Sequence, residues 1–424
     1  MIKFLLLGLL RDRYRSLFPA IVVALGVMLT VVLHAWLSGV IGDSIEFTAR
    51  FSTGHIKIMT SAYAENISQL PNDLALMNAS KLMDSIKKEF PEISWSERIY
   101  FAGLADVPDK SGVTRVQGNI FGFGIDMLSG NSAETDRMNI LKSLRQGRLP
   151  EKKGEVLLSE SLSGKLKVKP GDTISLITST MYGEYSVYNF LISGTVEFGT
   201  ISLDRGTMIA DISDIRVAMN MEDATGEIVG YFKSGYYDDE LAKKTVSRFN
   251  GRFHIKGDEF SPVMVSLKEQ NNMGVLVDYT SRLFETMIAV FLVAMSIVLW
   301  NAGLLGGLRR YGEFGMRLAI GEEKGHVYKT LIYESVLIGI LGTVAGTIAG
   351  LGLAWYLQTY GIDFGNAMKN SSIMMPAIFR ARITGQTWYI GFIPGIFSTL
   401  IGTMLSGIGI YKRKTAQLFK ELEA

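Results

Sequence analysis

The sequence predicts an integral membrane protein with four transmembrane α-helices and a large mixed α/β extracytoplasmic domain between the first and second. Three observations carry this prediction. Four stretches of the 424 residues contain no Asp, Glu, Lys or Arg: 17–41, 286–308, 335–362 and 383–411. Each is longer than the roughly 20 apolar residues needed to cross a bilayer core. Residues 43–285 carry 27 Lys and Arg against 33 Asp and Glu, whereas the remainder of the chain carries 16 against 8. Mean hydropathy is +0.22 and only 20% of residues are charged, which is low for a soluble domain. A cytosolic enzyme, a secreted disulfide scaffold and a disordered chain are excluded, and the absence of cysteine removes thiolate and cysteine–metal chemistry.

The elements follow in order. Residues 1–16 place Phe4, Leu5, Leu6, Leu7 and Leu9 ahead of Arg11, Arg13 and Arg15, the pattern of a short helix lying in the cytoplasmic interface. Residues 17–41 form the first span; they are too long for the apolar region of a cleaved signal peptide. Spans two, three and four occupy 286–308, 335–362 and 383–411, separated by a loop at 309–334 and a shorter one at 363–382. Residues 412–424 form a tail. Of the 16 basic residues outside the large domain, 13 precede span one, lie between spans two and three, or follow span four. Positive residues collect on the cytoplasmic side, so both termini are expected inside and residues 42–261 outside. Four of the five tryptophans lie in or beside spans.

The large domain reads as mixed α/β. Alternation at 55–59 marks a half-buried strand, and 80–90 has helical spacing ended by Pro91. Strand-like runs follow at 98–107, 114–123, 155–158, 173–178 and 185–196, separated by turns such as Lys169-Pro170-Gly171-Asp172. Residues 211–219 and 239–249 read as helices. Turn-rich punctuation places a division into two subdomains near 130–150. From Pro262 to Glu285 no proline intervenes, so a stalk helix over 262–285 is expected to run into span two, with 41–51 as the matching extension of span one. The aromatic and Met-rich stretches 182–190 and 219–221 read first as core; the sharper reading is an exposed apolar surface.

The search for catalytic chemistry is almost empty. The sequence contains no G-x-x-x-x-G-K-[ST], H-E-x-x-H or G-x-S-x-G motif, and the Gly122-Phe123-Gly124 pair is a turn or strand feature. His34 lies inside span one, where an ionisable residue is a functional candidate; the preferred reading is a neutral imidazole bonded to a neighbouring helix. The informative stretch is the loop after span two, Arg309 to Gly321. Glu313 and Arg317 stand four apart, in the order that favours a helical ion pair. Tyr311, Phe314 and Leu318 share a face, and Gly321 fits a helix C-terminus. This describes a short helix on the membrane surface, either an ordinary amphipathic connector or a coupling helix that fits a soluble partner.

Arg310, Glu313, Gly315, Arg317, Ala319 and Gly321, with Glu334 thirteen residues further on, form the pattern R-x-x-E-x-G-x-R-x-A-x-G…E. It resembles the permeases of the MacB/FtsX/Lol superfamily of ABC transporters. Gly339, Gly342, Gly346 and Gly350 match the small-residue packing face that follows. Arg145-Gln146-Gly147-Arg148, residues 154–159 and residues 165–172 resemble the G-R-x-P…GEVLLS…KLKVKPGD region of the family's periplasmic domains. The one-plus-three span layout covers the whole chain, and its size and missing ATPase resemble LolC/LolE-type lipoprotein-releasing permeases best. The tail departs from the family: residues 407–416 lack its small-Pro-Ala stretch and its later proline, which bears on the subfamily more than the superfamily.

The resemblance implies an energy transmitter without an active site. A separate P-loop ATPase dimer, holding ATP and Mg, would dock on the loop through Arg310, Glu313, Gly315, Met316, Arg317, Ala319, Gly321 and Glu334. A second permease chain, identical or related, would pair through the spans. No cofactor, metal or nucleic acid is expected on this chain. Lipoproteins in the outer leaflet and a periplasmic carrier are the implied clients. The alternatives are a MacB-like exporter of periplasmic peptides or small molecules, an FtsX-like signalling permease, or a ligand-sensing receptor that works without an ATPase.

Overall fold

A computed structural model describes residues 13–109, 112–130, 132–198, 201–270, 273–308, 311–364 and 378–412. Residues 1–12 of the expected interfacial helix, 413–424 of the tail and most of the loop at 363–382 lie outside them. The chain divides into two compact units. One gathers the chain up to Ile41, Tyr279–Ile362 and the chain from Phe379; the other, the head, gathers Gly42–Asp278 and Asp363–Ile378.

Short runs buried along their whole length and longer runs of mixed polarity give the head its strands: β1 (Ile56–Thr60), β2 (Leu76–Met77), β3 (Ile93–Pro108), β4 (Thr114–Ile125), β5 (Leu144–Gly147), β6 (Glu155–Ser159), β7 (Thr173–Ser179), β8 (Tyr185–Val196), β9 (Thr207–Asp211), β10 (Ala224–Thr225), β11 (Glu227–Phe232) and β12 (Pro262–Ser266). β1, β6, β9 and β11 are of the first kind. The main sheet runs β12-β1-β11-β3-β4-β9-β6-β8-β5, and β7 pairs with both β3 and β8. The path β3-β4-β9-β6-β8-β7 therefore returns to β3, and closure removes the exposed edges of those strands. Ile99, Phe101, Ile120, Leu158, Leu176, Phe190 and Met208 supply the apolar core of this ring.

A second core lies on the other half of the sheet. Ile56, Ile58, Trp95, Ile228 and Met264 pack against two amphipathic helices, Ala79–Glu89 and Asp239–Phe253, through Met83, Ile86, Val246 and Phe249. The division between these two cores does not fall near 130–150. The 16-residue β3 serves both, pairing with β11 from Ile93 to Arg98 and with β4 from Ile99 to Pro108. The ring is thus inserted between β3 and β11, an arrangement that a search for a single break in the chain cannot detect.

The expected stalk helix over 262–285 also changes. Pro262–Ser266 is β12, in antiparallel register with β1; Ser266 and Glu269 then form a capping box over a short 3₁₀ turn, and the helix begins only at Met273. β12 is an edge strand, where proline is tolerated. The amide of Asn250 bonds both the N–H and the C=O of Met264, at 2.8 and 2.9 Å, and so covers the open edge.

Among the described residues four helices are long and apolar enough to cross a membrane: Leu17–Thr53, Met273–Asn301, Lys324–Tyr360 and Gln386–Ile408. They belong to α1 (Arg13–Thr48, continued by a π-helical turn, Ala49–Thr53), α2 (Met273–Leu308), α4 (Lys324–Tyr360) and α5 (Thr399–Lys412), with α3 (Tyr311–Ala319) in the loop between the second and third spans. The fourth span is not one uninterrupted helix. It opens with a 3₁₀ turn at Gln386–Trp388 and passes through a π-helix, Ile393–Ser398. Pro394 lacks the N–H needed to continue an α-helical ladder.

The four glycines expected to pack the spans do so on two faces. A Cβ at Gly342, Gly346 or Gly350 would lie 2.8 Å from Val23 Cβ, 2.4 Å from the Ala24 carbonyl and 2.8 Å from Val31 Cβ, so these three hold α4 against α1. Gly339 turns instead toward the fourth span, where a Cβ would meet Thr399 Oγ1 at 2.9 Å. Small residues are what allow such close approach of helix backbones. His34 Nδ1 lies 3.1 Å from Thr387 Oγ1, so its imidazole is bonded to the chain at the start of the fourth span.

Candidate coupling site between the second and third spans

The loop site is built on α3. Arg310, the first residue of the motif, lies outside the described residues. Gly315 is buried, and Phe314 and Leu318, one turn apart, pack on Val327 and Leu331 of α4. This apolar face fixes α3 to the start of the third span. The opposite side carries Met316, 54% exposed, and Ile320, 82% exposed, with Ala319 also exposed. Glu313 and Glu334 are half-buried, on α3 and α4.

The end of α3 is a Schellman motif. Gly321, at φ +99°, donates its N–H to the Leu318 carbonyl, and Glu322 donates its N–H to the Arg317 carbonyl, both at 3.1 Å. Only glycine adopts that φ without strain. The same two residues also join through their side chains. Arg317 Nε and Nη2 each reach a Glu322 carboxylate oxygen at 2.6 Å, the bidentate geometry that gives such pairs direction as well as energy. Where the sequence pointed to Glu313 as the partner of Arg317, the fork closes forward on Glu322. The hydrogen bonds from Arg317 hold the Glu322 carboxyl below its ordinary range, and His326, 3.6 Å away, adds to this. Glu322 was missed because helical i,i+4 spacing was applied across a glycine turn; an arginine five residues before the residue that follows the αL glycine is the signal that could have found it.

The second family-like region forms one local structure in the head. Arg148 forks onto Glu155 at 2.6 and 2.8 Å, and the N–H of Glu151 adds a third bond to that carboxylate at 2.8 Å. Asp214 accepts the Gly154 N–H at 2.7 Å. The Lys169–Asp172 turn closes through the Asp172 carboxylate and Gly171 at φ +97°. Of the aromatic and Met-rich stretches, Phe190, Met219 and Met221 are core, whereas Tyr182, Tyr185 and Val187 point outward around the β7–β8 turn. Among the described residues no group of three His, Cys, Asp or Glu could hold a metal ion.

Residues 285–415 match the family described as FtsX-like permease C-terminal. Residues 285–415 thus form an FtsX-like permease domain, and the curated relatives that the chain resembles are ABC permeases of the MacB/FtsX/Lol superfamily. This permease is 27% identical over 287 residues to the lipoprotein-releasing system transmembrane protein LolC of Xylella fastidiosa, covering 65% of this chain and 66% of that one. It is 28% identical over 160 residues to the macrolide export ATP-binding/permease protein MacB 1/2 of Paracoccus denitrificans, covering 38% of this chain and 23% of that one. The permease thus spans less than two thirds of the length of either relative. The crystal structure of the periplasmic region of MacB from Actinobacillus actinomycetemcomitans is a loose likeness, with 15% identity and a TM-score of 0.35, covering 55% of this chain and 95% of that one.

Proposed function

We propose that this permease carries ATP-driven motion from a separate ATPase to its head, and that the work done there is extraction of lipoproteins from the outer leaflet for delivery to a periplasmic carrier. One observation carries the first part. The loop helix α3 is fixed to the third span on one face and presents Met316, Ala319 and Ile320 on the other, the arrangement expected of a rigid lever with an apolar contact for a soluble partner. The distribution of basic residues supports a cytoplasmic loop and termini, with the ATPase docking on that side and the head in the periplasm of the inner membrane. The permease works with a second permease chain. Supporting this, α2 carries an apolar stripe at Tyr279, Leu283, Met287, Val290, Val293 and Ile297 that the rest of this chain leaves exposed, with spacings of three and four that suit packing of one helix on another.

The lipoprotein part rests on the LolC relatives and on the outward Tyr182, Tyr185 and Val187, which offer an apolar surface to a client or carrier. The MacB relatives favour the second reading, export of a peptide or small molecule. Extraction from native membrane in mild detergent, with mass spectrometry of what accompanies the chain, tests both. A P-loop ATPase is expected, and it should be lost from the Met316→Asp/Ile320→Asp variant while the permease still inserts. Recovery of lipoproteins favours the first client class. Recovery of no ATPase, with other membrane complexes intact, turns the reading to a receptor.

A further inference from the structure

The C-terminal end of the first-span helix is held in an unusual way. The π-helical turn Ala49–Thr53 is closed by the Gly54 N–H on the Ala49 carbonyl at 2.8 Å, and Ala49, Phe51 and Thr53 are buried. Carbonyls at a helix end need partners, and here side chains from distant segments supply them. Tyr231 of β11 donates its hydroxyl to the Ala49 carbonyl at 3.0 Å, Tyr100 of β3 donates to that of Phe51 at 3.1 Å, and Gln270 Nε2 donates to that of Thr53 at 3.1 Å. One turn earlier, the Glu46 carboxylate accepts His55 Nε2–H at 3.0 Å and the Tyr237 N–H at 2.6 Å. His55 Nδ1 accepts the Phe232 N–H at 3.0 Å, which leaves the ring hydrogen on Nε2.

The grip is backed by buried charge. Arg98, with no exposed surface, donates to the Tyr231 hydroxyl at 2.8 Å and forks onto Glu134 at 2.8 and 2.9 Å. Arg137 bonds the other Glu134 oxygen and lies 3.9 Å from the Tyr231 ring centre. Positive charge behind a helix C-terminus complements its dipole. Only Gly54 and His55 separate the π turn from β1, so no slack linker intervenes. Tyr100 and Tyr231 sit on neighbouring strands of the sheet, and β3 is the strand that serves both cores.

We propose that this turn is the socket through which displacement of the first-span helix enters the head, with Tyr100, Tyr231 and Gln270 as positioning residues that make the helix end and the sheet move together. The proposal rests on the reading of the chain as an ATP-driven transmitter. Shift or rotation of the helix must then carry β3 and β11 with it, because the alternative is to leave the Tyr231 hydroxyl and the carbonyls of Phe51 and Thr53 without these bonds. β3 passes the displacement to the ring and to the helix-covered half of the sheet together.

The test uses the full permease with its ATPase in lipid nanodiscs. The chain contains no cysteine, so Val217→Cys, at an exposed position of the head, takes a single environment-sensitive fluorophore. The parent should show an ATP-dependent signal. Tyr100→Phe/Tyr231→Phe should keep hydrolysing ATP and lose that signal, at temperatures well below its melting point. Tyr100→Phe alone leaves the Arg98–Tyr231 bond intact and should lose part of it, which covers the case in which the double variant does not fold. A purely structural role would lower the melting temperature and leave the ratio of signal to hydrolysis unchanged. That ratio staying at the parental value in both variants overturns the socket alone. Absence of an ATP-dependent signal in the parent overturns the transmitter reading and the socket with it.

Discussion

Two regions of this permease tie the end of a helix with an arginine–glutamate fork, and they do so in opposite surroundings. At the end of α3, Arg317 and Glu322 are partly exposed and five residues apart. In the head, Arg98 and Glu134 are fully buried and 36 residues apart, and Tyr231 joins them from β11. A partly exposed pair stabilises by only ~0–1 kcal/mol, so the first fork sets an angle more than it holds a fold. A buried pair has already borne the desolvation of both charges, and removing one partner leaves the other stranded. The same chemistry serves geometry in one place and integrity in the other.

The largest expected effect follows from that difference. Arg98→Ala leaves Glu134 facing Arg137 alone in the interior and should cost ~3–5 kcal/mol, read as a fall in melting temperature of the detergent-solubilised permease. Arg317→Ala should change it far less. Equal losses in the two variants would break the comparison. Next in size is Gly346→Val, whose Cβ would fall 2.4 Å from the Ala24 carbonyl. Overpacking at that helix crossing should cost ~1–3 kcal/mol. Gly352→Ala, six residues on in the same helix with nothing within 4 Å of its Cβ, should melt with the parent.

The same contrast explains what could be read in advance. The spans, the loop helix and its glycine end are local patterns of charge, periodicity and φ preference, and they were legible. So was the small-residue face, although its division between Gly339 and the other three glycines depends on which helices meet. The buried network was not legible. Arg98, Glu134 and Tyr231 carry no shared spacing, and a charged residue in a sequence normally reads as surface. The stalk failed for a related reason: nothing local in residues 262–266 reveals that β1 is waiting to pair with them, and tertiary pairing overrode helical continuity. Glu322 lies between these cases, local in sequence but hidden by the turn.

A charge exchange sharpens the geometric half of the comparison. Arg317→Glu and Glu322→Arg each place like charges together at the end of α3, and with the proposed ATPase each should reduce coupling of ATP hydrolysis to the permease. The double exchange restores opposite charges, so coupling should recover in large part if the fork acts within the loop. Melting temperatures should move little throughout, since the pair is half in solvent. If both single variants impair coupling and the double does not recover, Arg317 acts on the ATPase directly. If none of the three changes coupling, the fork has no part in setting the lever.

The smallest effect is a pH dependence at a third fork, Arg148–Glu155, which joins an exposed arginine to a buried carboxylate. The hydrogen bond from Arg148 depresses the Glu155 carboxyl from 4.5 to about 2, and the N–H groups of Glu151 and Lys152 assist. A carboxyl depressed in the folded state contributes its stability in full above its unfolded value and loses it as pH falls through the folded one. The parent should therefore keep this contribution down to about pH 4.5 and lose it progressively toward pH 2. Arg148→Gln removes the main cause of the depression and should move the acid loss upward, toward the ordinary carboxylate range. The check is melting temperature against pH for the two proteins: the gap between them should narrow as both approach the acid limit, because a protonated Glu155 gains nothing from Arg148. A gap that stays constant from pH 7 to pH 3 would falsify the assignment and leave Arg148 acting through packing of its stem alone.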